Sequence, residues 1–153
     1  MLIRKIAPSE LHLLTRLFDY NDPDEMIKQV TEDMDCGNTD IFVMFDGDTP
    51  LGELHAAYTS TDERAVKGKR AYLFAFRIHE DHQNRGLGKK LMQSVISELS
   101  SQGYTEFTIG AEDDNLTAKH IYESFGFTEL LSRKTEEYQG DSYEYGLYLR
   151  KNP

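Results

Sequence analysis

Short runs in which apolar residues follow one another or alternate are separated by longer stretches in which they return every third or fourth position. That rhythm predicts strands interleaved with helices. Leu2 to Ile6 reads as a strand. Ser9 is then placed to cap a helix carrying Leu11, Leu14, Leu17 and Phe18, and Asp22-Pro23-Asp24-Glu25 opens a second with Met26, Ile27, Val30 and Met34 on one side. Ile41 to Phe45 is a continuous apolar run, which predicts a strand covered on both faces. Asp46-Gly47-Asp48 supplies a turn into a returning strand over Leu51 to Thr59, and Ser60 to Arg70 reads as a polar loop. Ala71 to Ile78 is the most strand-like stretch of the chain and belongs in the middle of a sheet.

Beyond a polar turn, Leu87, Leu91, Val95 and Leu99 form one helical stripe, widened by Met92 and Ile96 and ended by Gly103. Phe107-Thr108-Ile109 is a further strand. Asp114-Asn115 caps a last helix that places Ala118, Ile121, Tyr122 and Phe125 on one face, with Gly126 past its end. Thr128 to Tyr138 and Ser142 to Arg150 make two closing strands around Gln139-Gly140-Asp141. The order is that of a mixed α/β sheet.

A chain of 153 residues suits one domain spanning 1–153, large enough to fold without disulfides or metal. Its one cysteine, Cys36, precludes an internal disulfide and fits a reducing, cytoplasmic setting. No stretch has the apolar length of a membrane helix, and the first six residues are too short and mixed for a secretory signal. No membrane partner is therefore expected, and seventeen basic residues against 27 acidic ones leave a net charge of −10, which argues against nucleic acid and mildly toward a cationic partner.

The chemistry concentrates where the strongest strand meets the longest helix, in His79-Glu80-Asp81-His82-Gln83-Asn84-Arg85-Gly86-Leu87-Gly88-Lys89-Lys90. The first amides of a helix lack partners, the helix dipole is positive there, and glycines let a phosphate approach. A nucleotide P-loop is excluded because no glycine pair has the required Gly-Lys-Ser/Thr ending. A dinucleotide fingerprint is excluded because Leu91 stands where a third small residue is needed. What fits is Gln or Arg, two residues, Gly, one residue, then Gly or Ala: Gln83-Asn84-Arg85-Gly86-Leu87-Gly88.

In this segment the chain resembles the GNAT superfamily of N-acetyltransferases. Asn115, Ala118, Tyr122 and Gly126-Phe127 match the family's downstream pattern as well, and the element order agrees from Leu2 to Arg150. One departure is His79-Glu80 where the family often has a proline. The resemblance implies a mostly antiparallel central sheet of about seven strands flanked by about four helices. It also implies acetyl-CoA as co-substrate, no metal, and acetyl transfer to a primary amine of a small molecule or peptide by direct attack in a ternary complex. The backbone of Phe76, Arg77 and Ile78 is then expected along the pantetheine arm, and Gln83, Asn84, Arg85, Gly86, Leu87, Gly88 and Lys89 around the pyrophosphate. Asn115 is expected near the cofactor arm and Tyr122 at the thioester sulfur as general acid.

The residue that takes the amine's proton is left between Glu53, Glu112 and an ordered water. An acyl-CoA-binding sensor without catalysis and an unrelated nucleotide-binding protein are the alternatives from other classes. His79 and His82 lack the spacing of a helical zinc pair and read as turn residues, while His55 and His120 have no partner that the pattern identifies. Tyr138, Tyr143, Tyr145 and Tyr148, interleaved with Glu136, Glu137, Asp141 and Glu144, either line a pocket for a cation or simply alternate along strands. The acceptor's identity and the choice between monomer and homodimer stay open.

Overall fold

The computed structural model describes residues 1–138 and 140–153, Tyr138 by its backbone alone, so Gln139 of the expected turn and the Tyr138 side chain lie outside the described residues. Seven strands and four helices are found among those residues. They are β1 (Leu2–Lys5), α1 (His12–Leu17), α2 (Pro23–Asp35), β2 (Thr39–Asp46), β3 (Thr49–Ala57), β4 (Arg70–Ile78), α3 (Leu87–Ser101), β5 (Glu106–Glu112), α4 (Leu116–Ser124), β6 (Glu129–Tyr138) and β7 (Asp141–Lys151). The sheet runs in the order β1-β2-β3-β4-β5-β7-β6. The β4–β5 pairing is parallel, and β1–β2, β2–β3, β5–β7 and β6–β7 are antiparallel. The expected mixed, mostly antiparallel α/β fold is what forms.

The chain divides into two compact units, one of Met1–Ala57 with Ala75–Ser101, the other of Tyr58–Phe74 with Gln102–Pro153. In the first, all five residues from Ile41 to Phe45 are buried, as a strand covered on both faces requires. Ile41, Val43 and Phe45 join Ile6, Leu11 and Leu14 in one cluster, against which Met26, Ile27, Val30 and Met34 of α2 pack. The α3 stripe of Leu87, Leu91, Met92, Val95, Ile96 and Leu99 is buried in full, and α3 packs on β2 and β3. In the second unit the core is built by Phe107, Ile109, Phe125, Phe127, Leu147 and Leu149.

Two local expectations are corrected. Ser9 does not cap α1; it lies inside a 3-10 turn, Pro8–Glu10, and the helix starts only after Leu11. Glu10 is the reason: its carboxylate accepts the Ala7 N–H at 3.0 Å and is gripped by the Arg4 guanidinium at 2.7 and 3.0 Å. These contacts hold its carboxyl down to about 2. Ile121 is 41% exposed rather than on a buried face, because the apolar residues that seat α4 follow it, at Phe125 and Phe127. Cys36 caps the end of α2 and is exposed, its thiol donating to the Asp33 carbonyl.

Gly52 fixes how closely β3 approaches the end of β4. A methyl group there would sit 2.5 Å from Ile78 Cδ1 and 2.8 Å from the Arg77 carbonyl oxygen, and the nearby Leu51 carbonyl accepts the His79 N–H at 2.8 Å. Gly52→Ala is therefore expected to destabilise the fold by about 1–3 kcal/mol, read as a lower urea midpoint. An unchanged midpoint would mean that this approach is not tight.

Candidate active site

The turn between β4 and α3 is built to leave amides open. β4 ends at Ile78, whose carbonyl accepts the Gln83 side-chain amide at 3.0 Å. His79, standing where the family's proline often lies, does a related job by accepting the Asp81 N–H on its Nδ1 at 3.2 Å. Asn84 then takes φ +63° and Gly86 φ +75°, with Arg85 between them. Left-handed conformations flanking one residue turn consecutive N–H groups toward a common side, the geometry of an anion nest. A methyl at Gly86 would meet nothing within 4 Å, so glycine serves there for its backbone, with open space beside it.

The Gly88 position is tighter, since a methyl there would lie 3.2 Å from Phe76 Cζ. The helix start is thus packed directly on the end of β4. Lys90 N–H makes its bond back to the Gly86 carbonyl at 3.2 Å, and the N–H groups of Leu87, Gly88 and Lys89 precede it with no acceptor inside the helix. Arg85, Lys89 and Lys90 are exposed around this point. These features suit a dianionic pyrophosphate: amides without helical acceptors, the positive end of a 15-residue helix, and three exposed cations.

A cavity of about 560 Å³ adjoins the turn, lined by Phe18, Phe76, Arg77, Ile78, His79 and Gln83 among others. Arg77 lies over the Phe18 ring at 3.9 Å and donates to the Tyr20 hydroxyl at 2.9 Å. Behind it Glu53 is fully buried, with His55 Nε2 at 2.5 Å, Arg77 at 3.4 Å and the Tyr20 hydroxyl at 3.4 Å. Burial and the Glu53 charge push the Tyr20 phenol up to about 12. His55 and Tyr20 were not among the sequence candidates; the one available signal was that Glu53 and His55, two apart on β3, share a face.

The second unit carries Glu112, Asn115 and Tyr122. Glu112 is exposed at the end of β5, and no hydrogen bond or ion pair of its carboxylate is found among the described residues. Its carbonyl accepts the Asn115 N–H, while the Asn115 side chain caps α4 by accepting from Ala118 N–H at 3.1 Å. Tyr122 sits three residues before the C-cap Phe125. Gly126, at φ +90°, donates to the Glu123 carbonyl at 2.9 Å and Phe127 to the Tyr122 carbonyl at 3.1 Å. Those two bonds form a Schellman motif, whose usual apolar contact is made here by the Tyr122 and Phe127 rings, edge to face at 6.4 Å. The helix terminus thereby fixes the tyrosine, and burial alone pushes its phenol above the ordinary value.

The description of the acetyltransferase (GNAT) family fits residues 8–127, more than three-quarters of the sequence. The chain belongs to the acetyltransferase (GNAT) family. Two curated GNAT relatives share short stretches with it. One is the ribosomal protein bS18-alanine N-acetyltransferase of Salmonella typhimurium, 36% identical over 64 residues, which are 42% of this chain and 43% of that protein. The other is N-acetyltransferase 8B of Homo sapiens, 30% identical over 66 residues, 43% of this chain and 29% of that protein. Each match spans less than half of the relative's length. Among solved structures, a Salmonella typhimurium acetyltransferase with its cofactor acetyl-CoA superposes with a TM-score of 0.73 and 17% identity, covering 100% of this chain and 94% of that one, which shows the shared fold.

Within this GNAT chain the two acids considered as proton acceptors differ sharply in setting. Glu53→Ala strips the charge partner from Arg77 and His55 and is expected to cost about 3 kcal/mol of stability. Glu112→Ala is expected to stay within about 0.5 kcal/mol of the parent. Urea unfolding of the pair checks this, and equal costs would contradict the contrast in burial.

Proposed function

We propose that this chain is a cytoplasmic N-acetyltransferase that moves an acetyl group from acetyl-CoA to a primary amine by direct attack in a ternary complex. The observation that carries the reading is the turn with left-handed Asn84 and Gly86 opening onto the first amides of α3, which have no acceptor inside the helix. Its residues fit the coenzyme's diphosphate in charge, in open space at Gly86 and in amide supply. When bound, acetyl-CoA supplies an acyl group activated as a thioester.

Each remaining role falls to the chain's own groups. The N–H groups of Arg85 to Lys89 hold the pyrophosphate, and Gln83 braces the turn that presents them. We place the backbone of Phe76 to Ile78 along the pantetheine arm, as an added strand would lie, and assign its end the task of polarising the thioester carbonyl. Tyr122 Oη holds the proton that the departing sulfur needs. Burial supports this, because a raised phenol stays protonated at neutral pH. Asn115 orients the start of α4 through its cap.

An amine of ordinary basicity arrives protonated and must give up that proton before it attacks. We assign its uptake to Glu112, whose carboxylate is exposed, and give Glu53 the role of anchoring Arg77 at the cavity wall. The single exposed cysteine accords with a reducing compartment, and no helix of the described residues is long and apolar enough to cross a membrane.

The test combines binding with turnover. Acetyl-CoA is expected to raise the melting temperature of the parent, and mass spectrometry across an amine library to show products 42 Da heavier. Tyr122→Phe is expected to lower kcat by about 10²–10⁴-fold while the acetyl-CoA Kd stays within about twofold. Stabilisation without turnover of any amine would make the chain an acyl-CoA sensor. Stabilisation by NADH or ATP but not acetyl-CoA would remove the assignment.

A further inference from the structure

The sheet ends on two strands whose outer edges differ in character. β1 is four residues long, and its charges, Arg4 and Lys5, are both basic, so two copies of it would repel each other. Short edges of one sign discourage pairing. β6 runs for ten residues with β7 along one side, and no backbone hydrogen bond from its other side is found among the described residues. A bulge between Leu130 and Ser132 interrupts its ladder near the start, so the regular open edge is the stretch that follows.

That stretch reads Arg133-Lys134-Thr135-Glu136-Glu137: two cations, a threonine, two acids. Its charge reverses about Thr135. A two-fold axis through Thr135 brings the block against a second copy of itself with every charge facing its opposite. Arg133 then faces Glu137 of the second copy, Lys134 faces Glu136, and threonine faces threonine. Opposite charges and threonine pairs directly across are favourable neighbours in an antiparallel ladder. A slip of one residue mismatches the outward backbone groups. A slip of two sets Lys134 against Lys134 in one direction and Glu136 against Glu136 in the other. The pattern therefore specifies one register.

The side chains of one face are available for this pairing. Arg133, Thr135 and Glu137 alternate onto the same side and are all exposed. Arg133 donates to Asp113 through Nη1, and no bond of its Nη2 or Nε is found among the described residues. The opposite face is occupied within each copy. Lys134 pairs with Asp62 at 3.2 Å and Glu63 at 3.0 Å, while Glu136 accepts from Tyr143 at 3.0 Å and Tyr145 at 2.7 Å. Those two tyrosines line a cavity of about 190 Å³ with Tyr72 and Glu136. The cation beside them is the chain's own Arg64, 3.1 Å from Glu136 and 5.7 Å from the centre of the Tyr72 ring. Tyr148 stands elsewhere, under Lys119.

We infer that this chain forms a two-fold symmetric dimer through β6, its sheet continued by that of a second copy across Thr135. The inference goes beyond the acetyl transfer proposed above and does not rest on it. Each copy carries a net charge of −10, so two copies repel at long range and the complementary block selects the edge on which they meet. A strand-to-strand seam buries less than a standard interface, which makes the dimer weak and reversible, with a Kd of about 10–100 µM.

Sedimentation velocity of the whole chain between about 1 and 500 µM is expected to show monomer and dimer in reversible exchange. Arg133→Glu and Glu137→Arg each set like charges opposite one another twice, by symmetry, and each is expected to weaken the dimer at least about tenfold. The double variant, Arg133→Glu with Glu137→Arg, restores every pair and should recover the parent's affinity. An equimolar mixture of the two single variants should form a mixed dimer, because each supplies the charge that the other lacks. Glu137→Arg carries the test alone should Arg133→Glu, beside Asp113, fold poorly. A parent that stays monomeric to the top of the concentration range overturns the inference, and so does a dimer that the single variants leave unweakened. Association of the parent with none in a mixture of folded single variants overturns the register across Thr135.

Discussion

Between Ile78 and Leu87 the backbone must leave a strand, reverse, and enter a long helix without covering that helix's first amides. The local geometry of the helix start follows from how it does so. Two left-handed residues, Asn84 and Gly86, make the reversal short. The Gln83 side chain fastens the turn to the Ile78 carbonyl, and the lack of a side chain at Gly88 lets the helix sit against Phe76. A bulkier connection would satisfy the same amides internally and leave nothing for a ligand. Backbone conformation thus leaves the positive helix end uncovered by the chain's own turn, and the exposed Arg85, Lys89 and Lys90 add to its charge.

Each unit supplies a distinct set of chemical groups. The first provides the amide cradle, the end of β4 and the Arg77–Glu53–His55 cluster behind it. The second provides a tyrosine locked by a helix C-terminal motif, an exposed acid at the end of β5, and an aromatic cavity. Tyr122 illustrates the economy of the arrangement. Phe127, which closes the end of α4 after Gly126, is also the ring packed on the phenol, so stability and positioning come from the same contact.

Much of the fold was legible because its signals are periodic. The unbroken run Ile41 to Phe45 announced a doubly covered strand, and the four-residue stripe of α3 announced its buried face; both are found. The glycine-rich turn was legible for another reason, since its function needs particular residues at fixed spacing. What escaped depended on contacts between distant parts of the chain. Ser9 has the chemistry of a cap, but the salt bridge from Arg4 to Glu10 decides where the turn forms. Ile121 has the spacing of a core residue, but α4 is seated by the two phenylalanines after it. Glu53 could be named as an acid, yet its burial depends on Tyr20, His55 and Arg77, drawn from three separate segments. Tyr72 and Arg64 joined the tyrosine-acid pattern only because the first residues of β4 pair with β5 and the Arg64 guanidinium reaches the Tyr145 hydroxyl of β7 within the same unit.

In the proposed function, main-chain nitrogens at the start of α3 bind a diphosphate. The most direct measurement is a titration of the 15N-labelled chain with coenzyme A lacking any acyl group, followed amide by amide by NMR. The largest shifts should fall on Arg85 through Lys89 and be reproduced by 3′,5′-adenosine diphosphate only in part, because that fragment lacks the pyrophosphate bridge. Saturation of the signal with those five amides unmoved would contradict the account.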